Sequence, residues 1–279
     1  MTFSSSFTLA EDVDNYCVIG DPISHSKSPQ IHQLFAEQSG QILHYQAIAV
    51  TADEFDEALL QLHRQGIKGL NVTLPHKSRA CSWVKAPTGL AERAGAVNTI
   101  WFGENEQTYG DNTDGKGLVK DLLANAITLS ERNVLILGAG GAVCGIIEAL
   151  FDAGVARITI TNRTLTRAEE IQNRFSTIGE IQVYSYDSVP ANLADIVINA
   201  TSASLQQQVP PLADQLIAGR DCYDLAYADS DTAFITWAKV NGARTAIDGL
   251  GMLVRQAAES FFIWRGIRPE VEPVIAELR

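Results

Sequence analysis

Two kinds of residue in this chain could do chemistry: glycines at the mouth of a strand, and polar side chains grouped after other strands. In NVLILGAGGAVCG an apolar run, Val134 to Leu137, stops at Gly138, Gly140 and Gly141. A helix-like apolar stretch follows, then a β-rich run from Ile158 to Thr161. Strand, tight glycine turn, helix and strand is the order in which a βαβ unit sets backbone amides and a helix dipole against a pyrophosphate. At the end of the second strand, where a carboxylate would bond a ribose 2′-hydroxyl, stand Asn162, Arg163 and then Arg167. A carboxylate would repel a 2′-phosphate and two guanidiniums would clamp it, so the pattern favours NADP over NAD. Val143 replaces the third glycine of the usual fingerprint, and Gly141 with Ala142 is expected to supply the close helix packing instead.

The polar side chains fall in three clusters. GDPISHSKSP carries Ser24, Ser26 and Ser28; NVTLPHK carries Asn71, Thr73 and Lys77; NTIWFGENEQTYGDNTDG carries Asn98, Asn112 and Asp114. Ser, Asn and Asp also cap helices and close turns, which is the bland alternative for each cluster alone. Together their hydroxyls, amides, single ammonium and single carboxylate suit a small polyhydroxylated acid. His25, His32, His44, His63 and His76 have no metal-ligand spacing, so no metal site is expected.

These residues need elements to hold them. Strands are expected at Tyr16 to Ile19, His44 to Val50 and Gly69 to Leu74, with helices at Pro29 to Gln38 and Asp53 to Gln65 between them. Ala96 to Phe102 and Gln107 to Gly110 read as a hairpin around GENE. A helix from Asp114 to Ala126 leads into the glycine block, which continues through strands at Asp195 to Ala200 and Asp221 to Leu225. Alternating strands and helices imply a mainly parallel sheet, with ligand groups outside the carboxyl ends of its strands. DGLGMLVRQAAESFFIWRG reads as an amphipathic helix, Pro269 to Leu278 as a final short one, and this tail is expected to return to the first block.

Composition narrows the partners. A chain of 279 residues, 46% hydrophobic and 19% charged, can bury one large or two moderate cores. Its net charge of −12 argues against nucleic acid and anionic membranes, so any anionic ligand must be held by local cations. Cys17, Cys81, Cys144 and Cys222 are scattered without a CxxC, as in reduced cytoplasmic proteins. The opening segment lacks the pattern of a signal peptide and is expected to be disordered to about Val13. No uncharged apolar run free of glycine is long enough to span a bilayer.

GDPISHSKSP, NVTLPHK, GAVNT, GDNTDG, GAGGA, NRTLTRA, NATS and DGLGMLVRQAA occur in one order over nearly the whole chain. In these motifs the chain resembles the NADP-dependent shikimate dehydrogenases. The resemblance implies an α/β fold of two domains: a substrate domain from residues 15–113 and 250–279 with a mainly parallel sheet, a Rossmann NADP domain from residues 114–249, and a cleft between them. It implies reversible NADPH-linked reduction of 3-dehydroshikimate to shikimate, in aromatic biosynthesis, by a cytoplasmic monomer or homodimer. By the resemblance Lys77 is the catalytic lysine and Asp114 its partner. Ser26 and Ser28 bind the substrate carboxylate; Thr73, Asn98 and Gln256 contact its hydroxyls or carboxylate, and Tyr227 faces it. Gly138, Ala139, Gly140, Gly141 and Ala142, with Asn162, Arg163, Thr164 and Arg167, hold NADP, and Thr201, Leu225 and Gly249 lie near its nicotinamide end.

The chain departs from the family pattern at Ser204, where a glycine is common after NATS, in the LQQQVPP loop, and at Cys144, where a basic residue is common. Three other functions share enough of the pattern to be weighed. A quinate dehydrogenase would take a substrate with one more hydroxyl, and an NAD-preferring one would carry an acid at Asn162. An NADP-responsive binding protein could share the fold but has no need of both Lys77 and Asp114. A glutamyl-tRNA reductase would need a nucleophilic cysteine and a tRNA-binding region, and neither is visible.

Overall fold

A computed structural model describes residues 9–279. The chain folds as two compact units, one ending at Thr113 and resuming at Val254, the other running from Asp114 to Leu253. In the first, β1 (Asp14–Gly20), α1 (Ser28–Ser39) and β2 (Leu43–Ala49) make a parallel crossover, and α2 (Phe55–Arg64) leads to β3 (Gly69–Val72). Next come α3 (Lys77–Trp83), β4 (Ala86–Pro87), α4 (Gly89–Ala94), β5 (Thr99–Phe102) and β6 (Thr108–Asp111). The sheet order is β2-β1-β3-β5-β6-β4. The sheet is mixed: β1 runs parallel to β2 and β3, and β5 runs antiparallel to β3 and β6, as the GENE hairpin requires. Phe55, Ala58, Leu59 and Leu62, at helical spacing along α2, close one face of the core over Ile19, Leu70 and Val72. Because β2 and β3 flank β1 on opposite sides, chain direction around the sheet switches between β1 and β3, the usual place for a ligand in an open α/β sheet.

The second unit comprises α5 (Asp114–Ala124), β7 (Asn133–Leu137), α6 (Gly141–Asp152), β8 (Arg157–Thr161), α7 (Leu165–Arg174), β9 (Ile181–Tyr184), β10 (Ile196–Asn199), β11 (Asp221–Asp224), α8 (Ala233–Val240) and β12 (Thr245–Ile247). All its strands are parallel, in the order β12-β11-β10-β7-β8-β9. That is the doubly wound dinucleotide-binding order. Val134, Ile136, Ile158, Ile160 and Ile196 are buried in this sheet, as continuous apolar runs in two-sided parallel strands should be. Close helix packing falls elsewhere than expected. Nothing lies within 4 Å of a Cβ built on Gly141. The crowded glycine is Gly115 of α5, whose Cβ would stand 2.6 Å from the Ala149 Cβ and 2.7 Å from the Gly145 carbonyl of α6.

The chain ends with α9 (Leu250–Arg265) and α10 (Glu272–Leu278). From Val254 onward the tail belongs with the first unit. Trp264 stacks on Tyr16 at 4.8 Å and donates Nε1–H to the Ile100 carbonyl, and Arg265 pairs with Asp14. The expected disorder extends over residues 1–8, which lie outside the described residues, and over 9–13, where it does not hold. There the buried Asn15 side chain accepts from Ala10 N–H and donates to the Ala10 and Val13 carbonyls, each at 2.9 Å, tying the segment into a turn. No helix among the described residues is long and apolar enough to cross a membrane.

Candidate active site

In the first unit the loops after β1 and β3 are laced together at the switch point. Thr73 N–H donates to the Ile19 carbonyl and Asp21 N–H to the Leu74 carbonyl, both at 3.0 Å. A Cβ on Gly20 would stand 2.5 Å from Thr73 Cγ2, so only glycine lets the loops approach so closely. The β1 loop presents Ser26, whose Oγ accepts from Ser28 N–H at 3.2 Å, and Ser28, buried as the first residue of α1. Ser24 of the same loop is exposed. The β3 loop presents Thr73 and Lys77, both half-buried. Lys77 opens α3, and its backbone is fixed from two sides. Its carbonyl accepts from Val97 N–H at 2.9 Å, and the preceding His76 holds the Val50 carbonyl with Nε2 at 2.6 Å.

Behind these loops lies a buried polar network. Gln256 Oε1 accepts from Asn98 Nδ2 and from Thr113 Oγ1, each at 3.2 Å. Asn98 Oδ1 accepts from Thr113 N–H at 2.9 Å and from Thr99 Oγ1 at 2.8 Å. Asn71 donates Nδ2–H to Ser260 Oγ at 3.0 Å and to the Asn98 carbonyl at 3.1 Å, and its Oδ1 accepts from Tyr45 at 2.7 Å. Thr99 and Ser260 share a further bond of 2.8 Å. Burial above all pushes the Tyr45 hydroxyl well above the ordinary phenol value, so it stays a neutral donor. Amides and hydroxyls joined this way offer fixed donors and acceptors without a buried charge to neutralise. Gln256 and Asn98 were expected from sequence and stand together. Tyr45, Thr99, Thr113 and Ser260 were not, although Ser260 lies one helical turn beyond Gln256 and Thr113 directly precedes Asp114. Asp114 itself is buried at the start of α5.

In the second unit the expected cofactor residues line one edge of the sheet. The register pairs Tyr184, Thr161, Leu137, Asn199 and Asp224 across β9, β8, β7, β10 and β11, so the segments after them leave side by side. Gly138 has φ of 108°, and its Cβ would meet the Ala200 carbonyl at 3.1 Å and Thr201 Cγ2 at 3.2 Å. A Cβ on Gly249 would strike the Leu225 carbonyl. Thus Gly138 meets Thr201, and Gly249 meets Leu225. Asn162 donates Nδ2–H to the Thr164 carbonyl at 2.8 Å and shapes the turn that exposes Arg163 and Arg167. Tyr227 lies half-buried in the loop after β11. Ser204 explains its own departure from the glycine pattern. It donates to Asp224 Oδ2 at 2.6 Å and accepts from Asn199 Nδ2 at 3.1 Å, tying the loop after β10 to the end of β11. Burial raises the Asp224 carboxyl above the usual carboxylate range, and bonds from Ser204, Thr232, Ala226 N–H and Asn199 pull it back down.

Residues 18–100 match the model of the shikimate dehydrogenase substrate-binding domain, 120–209 that of shikimate/quinate 5-dehydrogenase, and 249–279 that of the shikimate 5′-dehydrogenase C-terminal domain. Shikimate dehydrogenase (NADP(+)) of Alkalilimnicola ehrlichii is 49% identical over 268 residues, covering 95% of this chain and 98% of that protein. The chain belongs to the shikimate dehydrogenase family. Among solved structures, an Ael1 enzyme from Pseudomonas putida matches with a TM-score of 0.88 at 41% identity, over 95% of this chain and 98% of that one. The Thermus thermophilus shikimate 5-dehydrogenase, solved with NADP(H) and shikimate, matches with a TM-score of 0.85 at 30% identity, over 95% and 98%.

For a shikimate dehydrogenase the cofactor edge should accept NADP, and the residues present fit. The N-cap of α6 is Gly140 and carries no side-chain cap, so the first amides of that helix are not spent on a protein carboxylate or hydroxyl. Cβ atoms built on Gly140 and Gly141 meet nothing within 4 Å, leaving room beside the backbone for a phosphate. The N-cap Thr164 of α7 also makes no side-chain cap. Neither Arg163 nor Arg167 takes part in the ion pairs among the described residues. Nor do the described residues hold any group of three or more His, Cys, Asp or Glu able to bind a metal ion.

Proposed function

We propose that this chain catalyses the NADP-linked interconversion of 3-dehydroshikimate and shikimate. The observation that carries the reading is the joining of the Ser26–Ser28 loop to the Thr73–Lys77 loop at the switch point of the first sheet. The joined loops carry Ser26, Ser28, Thr73 and Lys77, and the same unit holds the Asn98–Thr113–Gln256 network. Bound NADPH supplies the hydride. The chain supplies the rest. Ser26 and Ser28 hold the substrate carboxylate, and Thr73, Asn98 and Gln256 hold its hydroxyls or carboxylate, with Tyr227 facing the substrate. Lys77 Nζ, with Asp114 as its carboxylate partner, stabilises the negative charge that builds on the ketone oxygen and delivers the proton there. In the oxidative direction the neutral amine takes that proton back. Gly138 to Ala142, Asn162 to Thr164 and Arg167 hold the dinucleotide, with Thr201, Leu225 and Gly249 at its nicotinamide end. The units ending at Thr113 and beginning at Asp114 are the substrate and NADP domains, with the tail serving the first. The enzyme works as a monomer or homodimer in the cytoplasm, a setting supported by four free cysteines.

The deciding experiment follows absorbance at the reduced-nicotinamide band while shikimate and quinate are each offered with NADP and NAD. Turnover of shikimate with NADP at least tenfold above every other combination in kcat/KM is expected, a difference of about 1.4 kcal/mol. Faster turnover of quinate would move the substrate assignment. No turnover with any combination would make the chain a binding protein.

A further inference from the structure

β8 and β9 are parallel neighbours at the edge of the second sheet, and their register pairs Thr161 with Tyr184, the last residue of each strand. Arg163 and Tyr186 therefore each stand two residues beyond the same pair, on chains about 4.8 Å apart where they leave the sheet. Both exits are held in shape. On one, Asn162 bonds the Thr164 carbonyl. On the other, Tyr186 opens a short 3-10 turn closed by a Ser185–Ser188 hydroxyl pair at 2.8 Å and by Ser188 N–H donating to the Ser185 carbonyl at 3.0 Å. Tyr186 is half-buried. Its ring packs against a core that includes Leu137 and Val197, while its hydroxyl makes no hydrogen bond among the described residues. Burial raises that hydroxyl above the ordinary phenol value and the charge of Arg163 opposes the rise, so the guanidinium and the phenol lie within electrostatic reach. A neutral phenol is a donor, and a donor beside an unpaired guanidinium is an anion site.

We propose that Tyr186 is a further contact of the 2′-phosphate site, donating its phenol O–H to the phosphate that Arg163 and Arg167 pair with, and so helps to select NADP over NAD. This rests on the reading of the chain as NADP-linked. The anchored ring costs little freedom to order, because its core contacts already restrict it. One hydrogen bond to a charged oxygen corresponds to about tenfold in affinity.

The test is calorimetric titration of the full-length protein with 2′,5′-ADP, 5′-ADP, NADP and NAD, comparing the wild type with Tyr186→Phe and Arg163→Ala. Tyr186→Phe keeps the ring and its packing and removes only the hydroxyl. It should weaken 2′,5′-ADP and NADP about tenfold and leave 5′-ADP and NAD within about twofold. Arg163→Ala should show the same selectivity with a larger loss. If the wild type prefers 2′,5′-ADP over 5′-ADP and Tyr186→Phe keeps that preference intact, the Tyr186 contact is wrong and the NADP reading stands. Equal weakening of all four ligands would also overturn it, making Tyr186 a support for the whole nucleotide edge. If the wild type itself makes no distinction between 2′,5′-ADP and 5′-ADP, the NADP reading fails and the proposal with it.

Discussion

Lys77 is the residue on which the proposed chemistry turns, and its surroundings give its replacement a definite expected outcome. The His76–Val50 and Val97–Lys77 bonds fix the backbone from which its side chain projects. Removing the ammonium with Lys77→Ala should therefore leave the fold and the hydroxyl contacts of the substrate in place. It should cut kcat by roughly two to four orders of magnitude, the usual weight of a positioned general acid. Shikimate affinity, measured directly, should change far less. Lys77→Arg should not restore the rate, because a guanidinium does not give up its proton near neutral pH. Near-normal kcat with a raised KM would make Lys77 a binding residue only. Gln256 makes the opposite case. Its Oε1 organises Asn98 and Thr113, so Gln256→Ala should raise the shikimate KM about tenfold or more and leave NADP titration unchanged. An unchanged KM would take Gln256 out of the substrate site.

At the scale of elements, the loop after β10 is tied down by one hydroxyl that the sequence marks only as a departure. Ser204→Ala removes its 2.6 Å bond to Asp224 and leaves that buried carboxylate with three donors, from Asn199, Thr232 and Ala226. A bond of this kind is worth about 1.5–3 kcal/mol, and urea unfolding at neutral pH should show a loss of that order. A loss below about 0.5 kcal/mol would mean that the loop is held by its neighbours without Ser204. The glycine turn was legible in sequence because its first position admits few residues: Gly138 has a φ of 108°, and its Cβ would crowd the Ala200 carbonyl at 3.1 Å. Long amphipathic elements such as α2 were legible for a similar reason, since one periodicity both names the helix and names its buried face. Some short elements were not. α3, α4, β4 and β12 are brief, and α7 is polar along most of its length, so tertiary packing rather than pattern decides them. The polar network was legible only in part, because its partners lie far apart in sequence. Asn98 and Gln256 are separated by 158 positions, Asn71 and Ser260 by 189. Resemblance supplied the first pair; only folding assembles the second. Tyr186 escaped the sequence reading for the same reason, since its relation to Arg163 exists only through the register of β8 with β9.

For the molecule as a whole, charge and burial make separate predictions. With a net charge of −12, the protein's overall field repels an anionic cofactor, and only local cations such as Arg163 and Arg167 attract it. Stability depends on pH through another group. His32 is fully buried among Tyr45, Phe35, Phe261 and Trp264, stacked on Tyr45 at 4.2 Å, and neither ring nitrogen completes a hydrogen bond among the described residues. Burial pushes its pKa down to about 3, with Asn71 pulling the other way, whereas the unfolded chain takes up the proton near 6.5. The folded state thus holds a neutral imidazole where the unfolded state holds a cation. This contribution to stability is complete above about pH 6.5 and is lost as pH falls from there toward 3. Between pH 7.5 and 5.0 the loss from this one group comes to about 2 kcal/mol. His32→Phe keeps an aromatic ring in the stack and has nothing to protonate. It will carry some pH-independent cost of repacking, so the quantity to compare is the slope and not the absolute stability. Urea midpoints measured at pH 7.5, 6.5, 5.5 and 5.0 should fall steeply for the wild type and less so for His32→Phe, the two curves converging by about 2 kcal/mol across the range. Parallel curves would show that His32 either binds no extra proton on unfolding or is already protonated in the core, and the acid sensitivity of the fold would then have to come from its carboxylates.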